Sequence, residues 1–336
     1  MFSRLRTHLF DITGVLALGA LLFLITSSEF VGKRLEISLP NSFQQLNTIF
    51  LSILIEAIPF VLIGVLIAGF IQIFITEDHI KKWIPKNKIL AILMSCIAGA
   101  LFPACECGIV PIVRRLIAKG VPLFAGVGLL LTGPLINPIV ILSTYMAFGN
   151  DARMAALRMG IGFVAALVIA LLIALFYKLT NQLKHPFVHN SEEHRSIAVK
   201  QPFFVKMDHM LKHSIDEFFD MSKYLIIGAF IAAFVQTYVS TKSILLLGDG
   251  EIASIMVMMG LAYFLSLCSE ADAFIGASFR SVFSNTSILA FLVYGPMVDL
   301  KNTIMLLSVF KARFVFVLLA LITIIVFICI NLVNVF

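Results

Sequence analysis

Eleven apolar segments decide what this chain can fold into, at roughly 10–27, 49–75, 89–103, 105–118, 121–148, 155–177, 221–239, 252–267, 268–283, 287–310 and 313–335. A helix that crosses the roughly 30 Å hydrocarbon core takes about 20 apolar residues, and several of the segments reach that length. Hydrophobic residues make up 60% of the chain and charged residues 13%, where soluble domains carry about 25% charge. The sequence therefore predicts an all-α integral membrane protein, a polytopic helical bundle solvated mainly by the lipid bilayer. Its net charge of +6 is no sign of a nucleic-acid partner. In a multi-span protein such an excess marks the loops kept in the cytoplasm.

The chain repeats itself. Ile63–Gln72, IGVLIAGFIQ, matches Ile227–Gln236, IGAFIAAFVQ, at six of ten positions and a spacing of 164. Cys105 falls on Cys268 at 163, and Gly133-Pro134 falls on Gly295-Pro296 at 162. Each copy holds five apolar segments, and an odd number of crossings turns the second copy upside down, as in many transporters. The expected organisation is an N-terminal transmembrane helix and loop over 1–48, a first repeat over 49–178, a cytoplasmic linker with His and Lys over 179–220, and a second, inverted repeat over 221–336. Arg4 and Arg6 before the first segment resemble the start of a signal peptide, but no clean cleavage site follows, so a retained helix is expected. Loop charge agrees with inversion: Lys81, Lys82, Lys86 and Lys88 load one loop, while its counterpart carries Lys242 against Asp249 and Glu251. The positive-inside rule then places the N-terminus and central loop in the cytoplasm and the C-terminus outside a plasma membrane. The short segments 105–118 and 268–283 fit either spans or re-entrant hairpins.

The chemistry sits where the segments break. In Pro103-Ala104-Cys105-Glu106-Cys107-Gly108-Ile109-Val110-Pro111 the two thiols reach one ion only if the backbone is extended or turned, because residues two apart on a helix point to opposite sides. Pro103, Gly108 and Pro111 are the expected breakers, and Pro111 leaves the Cys107 carbonyl without its helical donor. Thiolates favour Cu(I), Zn(II) or a trivalent metalloid, so Cys105 and Cys107 are candidate metal ligands, with the metal as substrate rather than cofactor. The matching block holds Cys268, Glu270 and Asp272, and acidic groups at membrane depth bind cations or relay protons. Arg280 lies too far along to pair with Asp272. In the third element Gly133, Pro134 and Pro138, and in its copy Gly295 and Pro296, are expected to break helices, presenting Asn137 and Asp299. Glu56 and its equivalent Asp220 read as marks of a helix end. His185, His189, His194, His209 and His213 fall in the linker, where a solvated loop explains them as well as metal does. Trp83 beside Lys81 and Lys82 reads as an interfacial anchor.

In PACECGIVPIVRRLIAKGVP, GPLINP, CSEADAFIGASF and LVYGPMVDLKN, taken in order, the chain resembles the permease family of YraQ-like proteins and ArsP organoarsenical efflux permeases. The resemblance runs from about residue 50 to the C-terminus. It implies a permease with a Cys-x-Cys motif at Cys105 and Cys107, followed by Gly108 and Pro111. Efflux members typically carry Ser between the thiols where this chain has Glu106, which leans toward a more highly charged substrate. No G-x-x-x-x-G-K-[ST] motif occurs, so secondary transport is expected if the chain acts alone. The expected substrate is a small ion or small molecule, a thiophilic metal or metalloid, exported by alternating access. The substrate-contacting set is Cys105, Glu106, Cys107, Asn137, Cys268, Glu270, Asp272 and Asp299. Two alternatives stand beside it: a membrane subunit that docks a metal-handling membrane or surface protein, and an intramembrane thiol enzyme, which needs a base that neither motif supplies.

Overall fold

A computed structural model describes residues 41–76, 80, 84, 85, 87–102, 105–177, 182–184, 203–238 and 250–335. The first apolar segment, Lys81, Lys82, Trp83, Lys86, Pro103 and His185, His189 and His194 lie outside these. The chain divides into two compact units, Met1–Asn47 and Thr48–Phe336.

The described residues hold no strand, only an isolated bridge between Leu183 and Phe310. Their α-helices are α1 (Asn41–Phe74), α2 (Lys88–Leu101), α3 (Glu106–Ala118), α4 (Leu123–Ile136), α5 (Pro138–Ala147) and α6 (Ala152–Phe176), followed by α7 (Phe203–Tyr238), α8 (Glu251–Leu265), α9 (Ser269–Ser278), α10 (Asn285–Met297), α11 (Leu300–Val309) and α12 (Ala312–Val335). The second six follow the first in order and in kind: one long helix, two short ones, a broken pair, one long helix. Six stretches among the described residues are long and apolar enough to cross a membrane: Ser42–Phe74, Leu123–Ala147, Ala152–Phe176, Val205–Tyr238, Asn285–Val309 and Ala312–Val333. The protein is an all-α polytopic membrane protein.

The broken stretches are the buried ones. The most apolar window of Asn285–Val309 is 89% buried and that of Leu123–Ala147 72%, against 28% for Ala312–Val333. Freed backbone groups are tolerated at membrane depth only where protein or water covers them, so the breaks occupy the interior and the unbroken helices the lipid face. At about 1.5 Å per residue, α2 and α8 reach only about 21 and about 23 Å, too short for the roughly 30 Å core. Counterparts in the two series pack on each other, α4 on α10 and α6 on α12. Helix α1 runs antiparallel to α7: the Phe50 and Phe230 rings stand 6.0 Å apart, while the Ser214 hydroxyl donates to the Val65 carbonyl at 3.3 Å.

Several expected breaks fall elsewhere. Gly108 and Pro111 lie inside a continuous α3, Gly133 and Pro134 inside α4, and Gly295 and Pro296 inside α10. A proline removes one backbone bond but does not by itself end a helix when neighbours cover the freed carbonyl. The actual ends are set by capping. The Asn137 side chain accepts from Val140 N at 2.9 Å, with Pro138 opening α5, and Asp299 Oδ1 accepts from Asn302 N at 2.6 Å to open α11. Gly108 serves packing instead: a Cβ there would stand 2.8 Å from the Phe60 carbonyl oxygen of α1. Glu56 and Asp220 mark no helix end, since both sit within long helices, α1 continuing past Pro59. The linker read over 179–220 is helical from Phe203 onward and carries His209 and His213 on α7.

Candidate functional site

The sequence before each of the two short buried helices is extended, and that geometry brings the chemistry together. Cys105 has φ −75° and ψ 171° as the residue before α3, and Cys268 has φ −77° and ψ 154° before α9. Each cysteine thus stands at the positive end of a helix dipole. The Cys268 sulfur caps its helix by accepting from Ala271 N at 3.3 Å. Cys105 makes no such cap bond.

A small cleft of about 10 Å³, roughly the space of one water, is lined by Ile53, Glu56, Ala57, Phe60, Cys105, Glu106, Cys107, Cys268 and Lys301. Three cysteines from chain positions up to 163 apart therefore line one space. Glu56 enters from α1 to line the same cleft.

Lys301, which the sequence reading overlooked, lies at the centre. It is 4% exposed. Its Nζ lies 2.9 Å from Glu106 Oε1 and 2.9 Å from Asp299 Oδ2. It donates to the carbonyls of Ser266 at 2.8 Å and Leu267 at 3.2 Å. Those carbonyls belong to the turn between α8 and α9, where Ser266 takes φ 45° and ends α8. Glu106 Oε2 also accepts from the Ser269 hydroxyl at 3.4 Å. The ammonium therefore ties the first helical residue of α3 to the breaks of the second series. The available signal was a lysine two residues past Asp299 inside the apolar segment 287–310, since a charge at membrane depth is rarely idle.

A second buried cation was also overlooked. Arg158 of α6, 1% exposed, donates to Thr144 Oγ1 at 2.6 Å and to the Ser269 carbonyl at 3.0 Å. It secures the start of α9 to α5. Asp272, 2% exposed, faces Gly295 of α10, where a Cβ would stand 2.9 Å from its Oδ2.

Of the expected contact residues, Cys105, Glu106, Cys107 and Cys268 share the cleft, and Asp299 adjoins it through Lys301. Asn137, Glu270 and Asp272 do not line it. Asn137 is engaged as the α5 cap, and Asp272 points toward α10 instead. Arg280 pairs elsewhere, donating to the Phe148 carbonyl at 3.4 Å with its guanidinium 5.4 Å over the Phe148 ring. Among the described residues no group of three or more His, Cys, Asp or Glu side chains is arranged to hold a metal ion. The cleft offers paired sulfurs rather than a closed metal cage.

At its far end α3 is tied down by charge. Arg115 Nε donates to Glu217 Oε2 of α7 at 2.7 Å, and Arg114 stands 3.5 Å from Glu217 Oε1. Arg115 also bonds Gln72, and Lys119 donates to the carbonyls of Gln72 and Ile75 at the end of α1.

A lipid-embedded bundle that buries its broken helices and gathers polar groups at their junctions has the build of a membrane permease. The chain belongs to the ArsP_1 family of predicted permeases, which it matches over residues 42–335. It is 54% identical to UPF0718 protein YcgR of Bacillus subtilis over 286 residues, covering 85% of this chain and 96% of that one. It is 42% identical over 279 residues to a Streptococcus mutans protein named putative two-component membrane permease complex subunit, covering 82% and 91% of the two chains. UPF0718 protein MJ0584 of Methanocaldococcus jannaschii is 26% identical over 158 residues, 45% of this chain and 41% of its own. No solved structure matches.

Proposed function

We propose that this permease moves a thiophilic species by alternating access, with Cys105 and Cys107 as the pair that takes hold of it. The observation that carries the reading is the single cleft lined by Cys105, Cys107 and Cys268 at the meeting of the broken helices. Two sulfurs suit a species that asks for few ligands, such as Cu(I) or a trivalent metalloid, and two are easier to release than a full cage. Glu106 is paired with Lys301, and Glu56 adds negative charge to the lining, which favours a cationic form. Export is the favoured direction, and an inverted relation between the two helix series, supported by antiparallel α1 and α7, is the means of exchange.

Thermal unfolding of the purified protein with Zn(II), Cu(I), arsenite and methylarsenite tests the reading. A ligand at about 100 times its Kd stabilises the folded form by about 2.7 kcal/mol. Stabilisation by one thiophile that disappears in the Cys105→Ser/Cys107→Ser variant is the expected result. A folded wild type indifferent to all four sinks the proposal.

A second reading is favoured by the Streptococcus relative, whose name makes it a subunit of a two-component complex. On that reading a second membrane protein shares the transport cycle. Purification under mild detergent from the native host decides it: a stoichiometric companion supports the complex, and full substrate flux from this chain alone in vesicles contradicts it.

A further inference from the structure

We propose that the Lys301 ammonium is a tethered occupant of a monovalent-cation site, filling the place that a free coupling ion would otherwise take. The site has two carboxylate oxygens, Glu106 Oε1 and Asp299 Oδ2, and two main-chain carbonyls, those of Ser266 and Leu267. Unwound carbonyls beside a broken helix are how carriers bind Na⁺ or a proton equivalent. The carbonyls are available because α8 ends at Ser266 in the left-handed conformation and α9 begins only at Ser269.

Size and charge narrow the ligand class. The four oxygens stand 2.8–3.2 Å from Nζ, which is too far for Ca²⁺ at about 2.3–2.6 Å or Mg²⁺ at about 2.0–2.1 Å. An ammonium-sized ion fits, namely NH₄⁺ or K⁺, the latter an ion that carbonyl cages hold in channel filters. Glu106, Asp299, Ser266 and Lys301 are each 4% exposed or less and Leu267 is half-buried, so the cage is shielded on most sides. Without its cation it would leave two buried carboxylates facing each other, an arrangement that demands a replacement.

The consequence for the wild type is a cycle in which no free alkali cation is needed to hold α3 against the breaks of the second series. The inference does not depend on what the adjacent cleft carries.

The test is the unfolding midpoint of purified Lys301→Ala in potassium, ammonium, sodium and choline chlorides at one ionic strength. Potassium or ammonium is expected to raise it saturably over choline, by about 5 °C at 100 times the dissociation constant. The wild type and Lys301→Ala/Asp299→Asn are expected to give one midpoint in all four salts. If Lys301→Ala is not monodisperse, Lys301→Ser, which keeps both carboxylates and both carbonyls and leaves the ammonium position open, is measured in the same way. A folded variant with the same midpoint in every salt overturns the proposal, as does a rise in sodium alone or an equal rise in the wild type.

Discussion

Gly64→Val is expected to prevent the chain from reaching its folded state. A Cβ at this position would lie 2.2 Å from the carbonyl oxygen of Gly108 and 2.9 Å from its carbonyl carbon. The obstacle is backbone, so no side-chain rotation relieves it. Small residues that let two helices touch are the main device of helix association in lipid. Separating α1 from α3 also pulls Phe60 and Ala57 away from Cys107, opening the cleft. The expected loss exceeds about 4 kcal/mol, the range reserved for changes that break a named structural feature. Gly160→Val on α6, where a Cβ meets nothing within 4 Å, is the control and should change stability by less than about 1 kcal/mol. Size-exclusion chromatography in detergent reads both. Equal monodisperse yields from the two variants would show that the crossing tolerates a side chain.

The second large effect is expected at Glu217. This carboxylate is 4% exposed and is held by Arg115 on one oxygen and Arg114 on the other. Glu217→Ala leaves two guanidinium groups without their shared partner, and breaking a buried pair from one side costs about 3–5 kcal/mol. Arg115→Met/Glu217→Ala should recover a large part of that loss, because apolar replacement of both partners is often neutral. Chemical or thermal unfolding of the three proteins in one detergent measures the difference. A double variant no more stable than Glu217→Ala would place the loss in packing rather than in the stranded charge.

The elements were legible in the sequence because lipid imposes a long apolar signal. The segments read at 155–177 and 313–335 appear as Ala152–Phe176 and Ala312–Val335. The breaks were legible only to within a few residues. Pro134 and Pro296 announce themselves, but the helices end at Asn137 and Asp299, where a side chain captures the next amides. The reading of Glu56 as a helix end failed because α1 continues past it and past Pro59 to Phe74. The cysteines of the cleft were found, because Cys-x-Cys beside proline is unusual and its repeat partner points to Cys268. Lys301 and Arg158 were not. A charge in an apolar run looks like a boundary until the structure shows four oxygens around it.

One helix ties these parts to the world outside the bilayer. The 36 residues of α7 reach about 54 Å, well beyond the roughly 30 Å core, and they contain no proline. The first turns carry Lys206, Asp208, His209, Lys212 and His213, then come Asp216, Glu217, Asp220 and Lys223, and a largely apolar run follows from Tyr224 to Tyr238. One unbroken rod thus joins the charged first turns of α7 to the carboxylate that clamps α3, the helix whose opposite tip carries Cys105 and Cys107.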